Sequence, residues 1–496
     1  MIGNVQQTSK VRSISEDPPR LQPRIHPAIQ SFLKEKDLLF RLIENYGSPL
    51  NIIFPQNMHE NISEFQNVYK KHNLRGRIYY TSKPCKSSAL IREAAGFEIG
   101  IDVSSAGSLK KALDCVVDAD RIGATGPKSK TYIANAVAAG VLINIDNIDE
   151  LKEIVLTHQS LEKSQKTRIM VRIADTGHKT ENSIRTEDTS FGIKTSDMDW
   201  VFNFLEDHKE ILEFHGFSYH ASMANDAQRI DAMENQISLT FEAIKRGFRI
   251  SKINIGGGFR VSYAESNEEW SSYLDCLKSS VLGKIPTQIW NNGNLGYRVE
   301  NGAIRGDGAF IHHAPVYTKA QELDRWLDFR LPAYANVKFS DIVRDSLFQL
   351  QIEPGRSLID QCGITIGRVS YTKKSIRDEI LIGMEMNSSN IHSDKFKMLT
   401  EPVVIPKHDG IINENQDGVY YVGNLCMTND MLRYNKTYPY YMPEADDLII
   451  FPNTAAYMMD FTESEILMQP LAKKIAVTNL NDTWVCTPDE DYRSAV

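Results

Sequence analysis

The chain has 496 residues, 42% of them hydrophobic and 24% charged, with a formal net charge of −8. That length carries a large core and more than one domain, and without a dense basic stripe nucleic acid is excluded as a partner. No apolar run is long enough for a membrane span, and the six cysteines (Cys85, Cys115, Cys276, Cys362, Cys426 and Cys486) form no CxxC pair or zinc spacing, which points to a reducing, cytoplasmic setting.

Residues 1–25 are polar and rich in proline, with no apolar stretch behind the charges. They read as a mobile arm and not as a secretory signal. A helical lead-in follows over 26–47, where SFLKEKDLLFRLIENYG keeps helical periodicity until Gly47.

From about residue 48 to 361 the pattern alternates strand with helix. The apolar runs are RIYYTSK (77–83), EIGIDVSS (98–105), RIGATG (121–126), VLINID (141–146), RIMVRIA (168–174), FHGFSYH (214–220), KINIGGG (252–258) and LFQLQIEPGR (347–356). Eight such units predict a closed (β/α)8 TIM-type barrel, whose active site lies at the C-terminal strand ends. The polar residues ending these runs, among them Lys83, Asp102, Arg172, His220, Gly256–Gly258, Glu353 and Arg356, should therefore converge. The link after Gly258 is far longer than the roughly thirty residues a βαβ unit needs. EEWSSYLDCLKSSVL supplies the expected barrel helix, which leaves 285–338 as an insertion over the loop face.

Each ender has a chemical and a structural reading. A lysine in a barrel mouth is desolvated and forms a Schiff base with an aldehyde, or it snorkels to water from a strand end. Three glycines let backbone N–H groups approach a phosphate, or they make a tight turn. Glu353-Pro-Gly-Arg356 offers a carboxylate for a protonated ring nitrogen and a guanidinium for phosphate, or an ion pair at a turn. His220 can stack on an aromatic ring or be a satisfied structural histidine. Arg172 and Asp102 can each be half of a structural ion pair.

After Gly363 helical periodicity fades. GITIGRVSYTKK, EILIGMEM, GVYYVG, DLIIFP and KKIAVT predict an all-β domain over 362–480, followed by a loose tail at 481–496. In it, GNLCMTND sets Cys426, able to move a proton at carbon, near Asp430, able to grip an amine, and NTAAY carries Tyr457. A buried inert cysteine and a core tyrosine are the structural alternatives.

Taken together, these parts suit pyridoxal 5'-phosphate. Lys83, His220, Gly256–Gly258, Glu353-Pro-Gly-Arg356, Gly423-x-x-Cys426-x-x-x-Asp430 and Ala456-Tyr457, in that order, resemble the fold-type III pyridoxal-phosphate decarboxylases, the diaminopimelate, ornithine and arginine decarboxylases with an alanine-racemase-like barrel. YGSPL, GPKSK (126–130), INIDNIDEL (143–151) and SFGIK (190–194) match as well, so the resemblance runs from about Tyr46 to about Val477.

The resemblance implies a carboxy-lyase that removes the α-carboxylate of an amino acid or an amino-acid conjugate. Lys83 would hold the cofactor as a Schiff base and His220 would stack on its ring. Glu353 would pair with the ring nitrogen. Ser222, Gly257, Gly258, Gly355, Arg356 and Tyr457 would hold the phosphate end, and Asp102 and Arg172 would support the cofactor and Lys83. Cys426 would donate the proton after decarboxylation. Asp430, with Cys426 and Tyr457, would contact substrate from a partner subunit, making a homodimer with shared sites. No metal is implied.

The chain departs from the family at several points. TSKPC replaces the usual YAxKxN. HASMAND puts Ser222 one place early, with Met223 in the usual serine slot. Met427 follows the cysteine where the diaminopimelate branch has Glu, and GMEMNSSNIHSDKF lacks that branch's Arg. With its long insertion, the chain is similar to a decarboxylase-like branch sharing GNxCxxxD and an NTAxY ending. Racemisation on the same scaffold, or a catalytically silent binding homologue, are the alternatives.

Overall fold

Eight parallel strands close on themselves: Arg75–Thr81, Gly100–Val103, Ile122–Ala124, Leu142–Ile145, Thr167–Arg172, Leu212–Ser218, Lys252–Asn254 and Gln349–Ile352. This is the barrel expected from the eight runs. The computed structural model describes residues 20–115, 117–174, 189–221, 225–306, 310, 312–391 and 398–494. Closure comes from Gln349–Ile352, which pairs with the first strand on one side and with Lys252–Asn254 on the other. Most strand residues are buried, because each strand has helices on its outer side and the filled barrel on its inner side. The interior is tight: a Cβ at Gly100 would lie 2.4 Å from the Tyr79 ring.

Local caps start the outer helices. Ser87 accepts from Leu90 N, Ser105 and Ser108 form a capping box, and Asn147 accepts from Glu150 N at 3.0 Å. The helices begin just past the strand ends, so they set where each strand's last polar residue stands.

The second unit is a sheet built on Gly363–Lys374, with Ile380–Met384, Val403–Ile405, Val419–Val422, Leu448–Phe451, Lys473–Leu480 and Thr483–Pro488. Leu50–Ile53 joins this sheet and not the barrel, contrary to a barrel domain starting at residue 48. It runs antiparallel to Gly363–Lys374 and parallel to Lys473–Leu480, and all four of its residues are buried. An apolar central strand is satisfied by either sheet, so only tertiary pairing decides.

Other expectations are corrected too. The lead-in is two helices, Pro27–Phe32 and Lys36–Tyr46, ending at Gly47 with φ 88°. The break lets Phe32 and Ile29 reach the same core as Leu39 and Ile43. Residues 1–19 of the presumed arm lie outside the described residues, but 20–25 are held. Leu21 is fully buried, Glu401 N donates to Leu21 O, and Arg24 N donates to Tyr263 O.

The tail at 481–496 is not loose over its described part. Thr483–Pro488 is a strand on Lys473–Leu480. Asp489 then caps the helix Ser88–Gly96 by accepting from Ser88 N at 2.7 Å, and the Tyr492 hydroxyl donates to buried Glu93.

The long link is also divided differently. The expected barrel helix, now Asn267–Val281, packs Tyr273 and Leu277 with Leu21, Ile289, Tyr297 and Leu399, away from the barrel. The barrel's place is taken by Lys319–Leu327, which lies against Met58–Lys71. Its Trp326 stacks on Phe259 at 4.7 Å, and Phe259 meets Phe65 at 5.0 Å. Both helices are amphipathic, and amphipathicity does not say which core a face will meet. Among the described residues, no helix is long and apolar enough to cross a membrane.

Candidate active site

The strand ends converge at one mouth. Lys83 lies two residues past Thr81, and its loop is fastened at many points. Ser82 donates to Asp102 O through N and Oγ, both at 3.0 Å, and Thr81 Oγ1 donates to Glu353 O at 3.1 Å. Tyr457 N donates to Pro84 O and Lys86 N to Asp460 Oδ2, both at 2.9 Å, which ties the loop to the sheet unit. Pro84 fills the space over Gly355, where a Cβ would come within 2.8 Å of Pro84 Cγ. The departure at Pro84 and the glycine of EPGR are thus one packing feature. Lys83 itself is exposed in the mouth, the snorkelling one of its two readings, and it sits on the tethered Ser82–Lys86 turn.

Two carboxyls face it. Asp102 is 3% exposed, and burial, then the charge of Glu353, pushes its pKa well above the usual range. Lys83, the Thr81 hydroxyl and Arg172 oppose that rise. Burial also raises Glu353, against the pull of Asn254, Arg172 and Lys83. Asn254 Nδ2 donates to Glu353 Oε1 at 2.6 Å, while Asn254 Oδ1 accepts from Gly256 N at 2.8 Å. Arg172 lies 3.6 Å from Asp146 Oδ1 with its guanidinium over the Phe191 ring.

His220 opens to the mouth but is surrounded by protein. Desolvation, then the charges of Lys83, Arg172 and Arg229, push its pKa down to about 3, so the imidazole is neutral. Gly257 N donates to its Nδ1 at 3.3 Å, making that nitrogen the acceptor. The glycine run is sterically required. A Cβ at Gly257 would stand 2.4 Å from Glu353 O, one at Gly256 would stand 2.5 Å from Tyr219 O, and Gly258 has φ 92°.

Arg356 is buried beside this run. Its Nη1 donates to the Tyr263 hydroxyl, and its guanidinium lies 4.8 Å from the Tyr457 ring centroid. Tyr457 sits at φ 66°, a left-handed conformation uncommon for a bulky residue and enriched at working sites.

The remaining residues stand elsewhere. Ser222 lies outside the described residues. Cys426 is exposed on a loop of the sheet unit. Asp430 is buried. It is 5% exposed, and its carboxylate accepts from Ser388 N at 2.7 Å and Leu425 N at 2.8 Å. One donor, Leu425 N, belongs to its own loop and the other, Ser388 N, to a separate segment, so the carboxylate fastens the turn that carries Cys426 to that segment.

Three participants were not singled out from the sequence. Asn254, between Ile253 and Ile255 in a barrel strand, carried a signal as a polar residue among apolar neighbours. Asp146 ends its strand as Asp102 does, so the same rule applied to it. Tyr263 gave no signal.

Both the sequence and the fold have known relatives. Residues 56–289 match the family of the pyridoxal-dependent decarboxylase, pyridoxal binding domain. An uncharacterized protein of Sinorhizobium fredii is 27% identical over 467 residues, covering 92% of this chain and 94% of its own. Diaminopimelate decarboxylase of Bacillus methanolicus is 23% identical over 422 residues, covering 84% of this chain and 85% of its own. The crystal structure of diaminopimelate decarboxylase from M. jannaschii in complex with L-lysine superposes with a TM-score of 0.65 at 18% identity, covering 90% of this chain and 91% of its own. That structure supports the fold.

Pyridoxal phosphate, the cofactor of these enzymes, fits the residues present. A cradle that any Cβ would fill, with Arg356 beside it, suits a phosphate. A carboxyl held by Asn254 suits a ring nitrogen, and a neutral imidazole suits a ring face. Residues 56–289 are a pyridoxal-binding domain of the pyridoxal-dependent decarboxylase type, and the fold, an alanine-racemase-like barrel with an appended β domain, is the one seen in diaminopimelate decarboxylase.

Proposed function

We propose that this protein removes the α-carboxylate of an amino acid or amino-acid conjugate, with Lys83 as the amine to which pyridoxal phosphate attaches. The convergence of Lys83, His220, Glu353 and the Gly257–Arg356 anion cradle at one mouth carries this reading. When bound, the cofactor supplies an electron sink for the pair left at the α-carbon as carbon dioxide departs.

The chain's own groups supply the rest. Glu353, oriented by Asn254, holds a proton at the ring nitrogen. Neutral His220 lies against the ring without adding charge. Gly257, Gly258, Gly355, Arg356 and Tyr457 bind the phosphate. Asp102 and Arg172 set the field around Lys83. Cys426 of the partner subunit returns a proton to the α-carbon. In support of a homodimer, Cys426 lies in a region with exposed apolar residues, including Met427, Phe461, Leu467, Met468 and Leu471. The Asn424 side chain donates to Gln469 Oε1, joining the cysteine loop to that segment. A reducing, cytoplasmic setting fits six free cysteines.

The test begins with the visible spectrum of the purified protein before and after borohydride, with mass spectrometry of the Lys83 peptide. Amino acids are then screened for carbon dioxide release. Cofactor fixed at Lys83, and release of carbon dioxide that Lys83→Ala slows by several orders of magnitude, are expected. Turnover in Lys83→Ala equal to wild type would sink the assignment, and substrate that racemises with its carboxylate retained would replace decarboxylation with racemisation.

A further inference from the structure

The insertion after the glycine run is fastened to the segment that follows that run. Its His312 and His313 run beside the segment Val261–Ala264, just past Gly256–Gly258. Tyr263 N donates to His312 O at 2.8 Å and Ala264 N to His313 O at 3.0 Å. Ser262 Oγ donates to His313 O at 2.9 Å, and Val261 N donates to His312 Nδ1 at 3.4 Å. His313 is anchored in turn. It stacks on Trp270 at 4.5 Å and accepts from Leu399 N at 3.3 Å, which joins the insertion to the sheet unit. Tyr263, 2% exposed, stands on this support and accepts from Arg356 Nη1.

The chemistry of the acceptor matters. Burial raises the Tyr263 phenol, so it accepts as a neutral group. A carboxylate in its place would oppose the charge of Arg356, whereas a phenol orients the guanidinium without adding a charge of its own. His312 is kept neutral by its burial and by Arg356.

We propose that the insertion is a buttress for the anion-binding end of the site, with Tyr263 and His312 as positioning residues that hold Arg356 toward the cofactor's phosphate. This rests on the reading of Arg356 as a phosphate ligand.

The test compares binding of pyridoxal phosphate with binding of pyridoxal, which lacks the phosphate, to the full-length apoprotein by titration calorimetry. Tyr263→Phe keeps the ring and removes the acceptor. It is expected to weaken pyridoxal phosphate by about tenfold or more, the range for a hydrogen bond to a charged group, and to leave pyridoxal unchanged. His312→Ala, which keeps the Tyr263 hydroxyl and the backbone bond from Tyr263 N but removes the acceptor of Val261 N and the ring beside Tyr263, is expected to act in the same direction with a smaller effect. Unchanged phosphate-selective affinity in Tyr263→Phe, or equal loss for both ligands, overturns the buttress, and loss confined to Tyr263→Phe removes the His312 side chain from it. Wild-type protein that binds both ligands equally overturns the Arg356 reading itself, an outcome separable from the others because it appears before any substitution.

Discussion

Asn254 makes two bonds in the barrel, one to the Glu353 carboxyl and one from Gly256 N, so Asn254→Ala tests how the carboxyl is held. Losing the first costs about 1.5–3 kcal/mol where Glu353 is ionised, toward the lower end because Glu353 is only half-buried. Orphaning the Gly256 N–H costs about 1–3 kcal/mol at any pH. Glu353 has a folded pKa above its unfolded one, so ionising it destabilises the fold as pH rises from its ordinary value into the raised range. Asn254 offsets that penalty, and its removal raises the pKa further. The loss on Asn254→Ala should therefore be largest where wild-type Glu353 is ionised, and should shrink in acid to the share owed to Gly256. Urea unfolding of wild type and variant at a series of pH values, repeated in a Glu353→Gln background, measures this. In that background the loss should be flat with pH. A flat loss with Glu353 present, or a sloping loss with Gln in its place, would refute the reasoning.

Two further predictions concern the sheet unit. Asp430→Asn puts an amide where two backbone N–H groups converge, so the Cys426 loop should lose about 1–3 kcal/mol and hydrogen exchange at Ser388 and Leu425 should quicken. A raised KM with unchanged exchange would instead return the carboxylate to substrate binding. Asp489→Ala leaves the Ser87 cap but removes the acceptor of Ser88 N at the start of the helix Ser88–Gly96, at about 1–3 kcal/mol, and should expose the tail beyond Pro488 to carboxypeptidase. A tail that stays resistant would show that Tyr492 and its bond to Glu93 hold it without the cap.

The barrel was legible because its strands are sharp apolar runs with turn residues at their ends, and every run found its place. The mouth was legible for the same reason: a residue that ends a parallel strand is carried to the C-terminal face whatever the helices do. Lys83, Asp102, Arg172, His220 and Glu353 follow that rule, and Asp146 obeys it without having been chosen. What failed lay where one local pattern serves two tertiary partners. Leu50–Ile53 is a buried strand that either sheet accepts. Asn267–Val281 and Lys319–Leu327 are both amphipathic helices, and only the second meets Phe259 and the barrel. The two bonds that Asp430 accepts were not legible either, because the N–H groups of Ser388 and Leu425 belong to every residue type and leave no mark in composition.

By itself, then, the order of residues determined the strand count, the face on which the chemistry collects and the residue types that collect there, since these depend on spacing along one chain. The tertiary structure alone decided which of two apolar faces each element meets, that Tyr263 and the insertion stand behind Arg356, and that the tail returns to cap the helix after Lys83. Those are contacts between segments hundreds of residues apart, chosen by shape and hydrogen-bond satisfaction among surfaces that look alike when read singly.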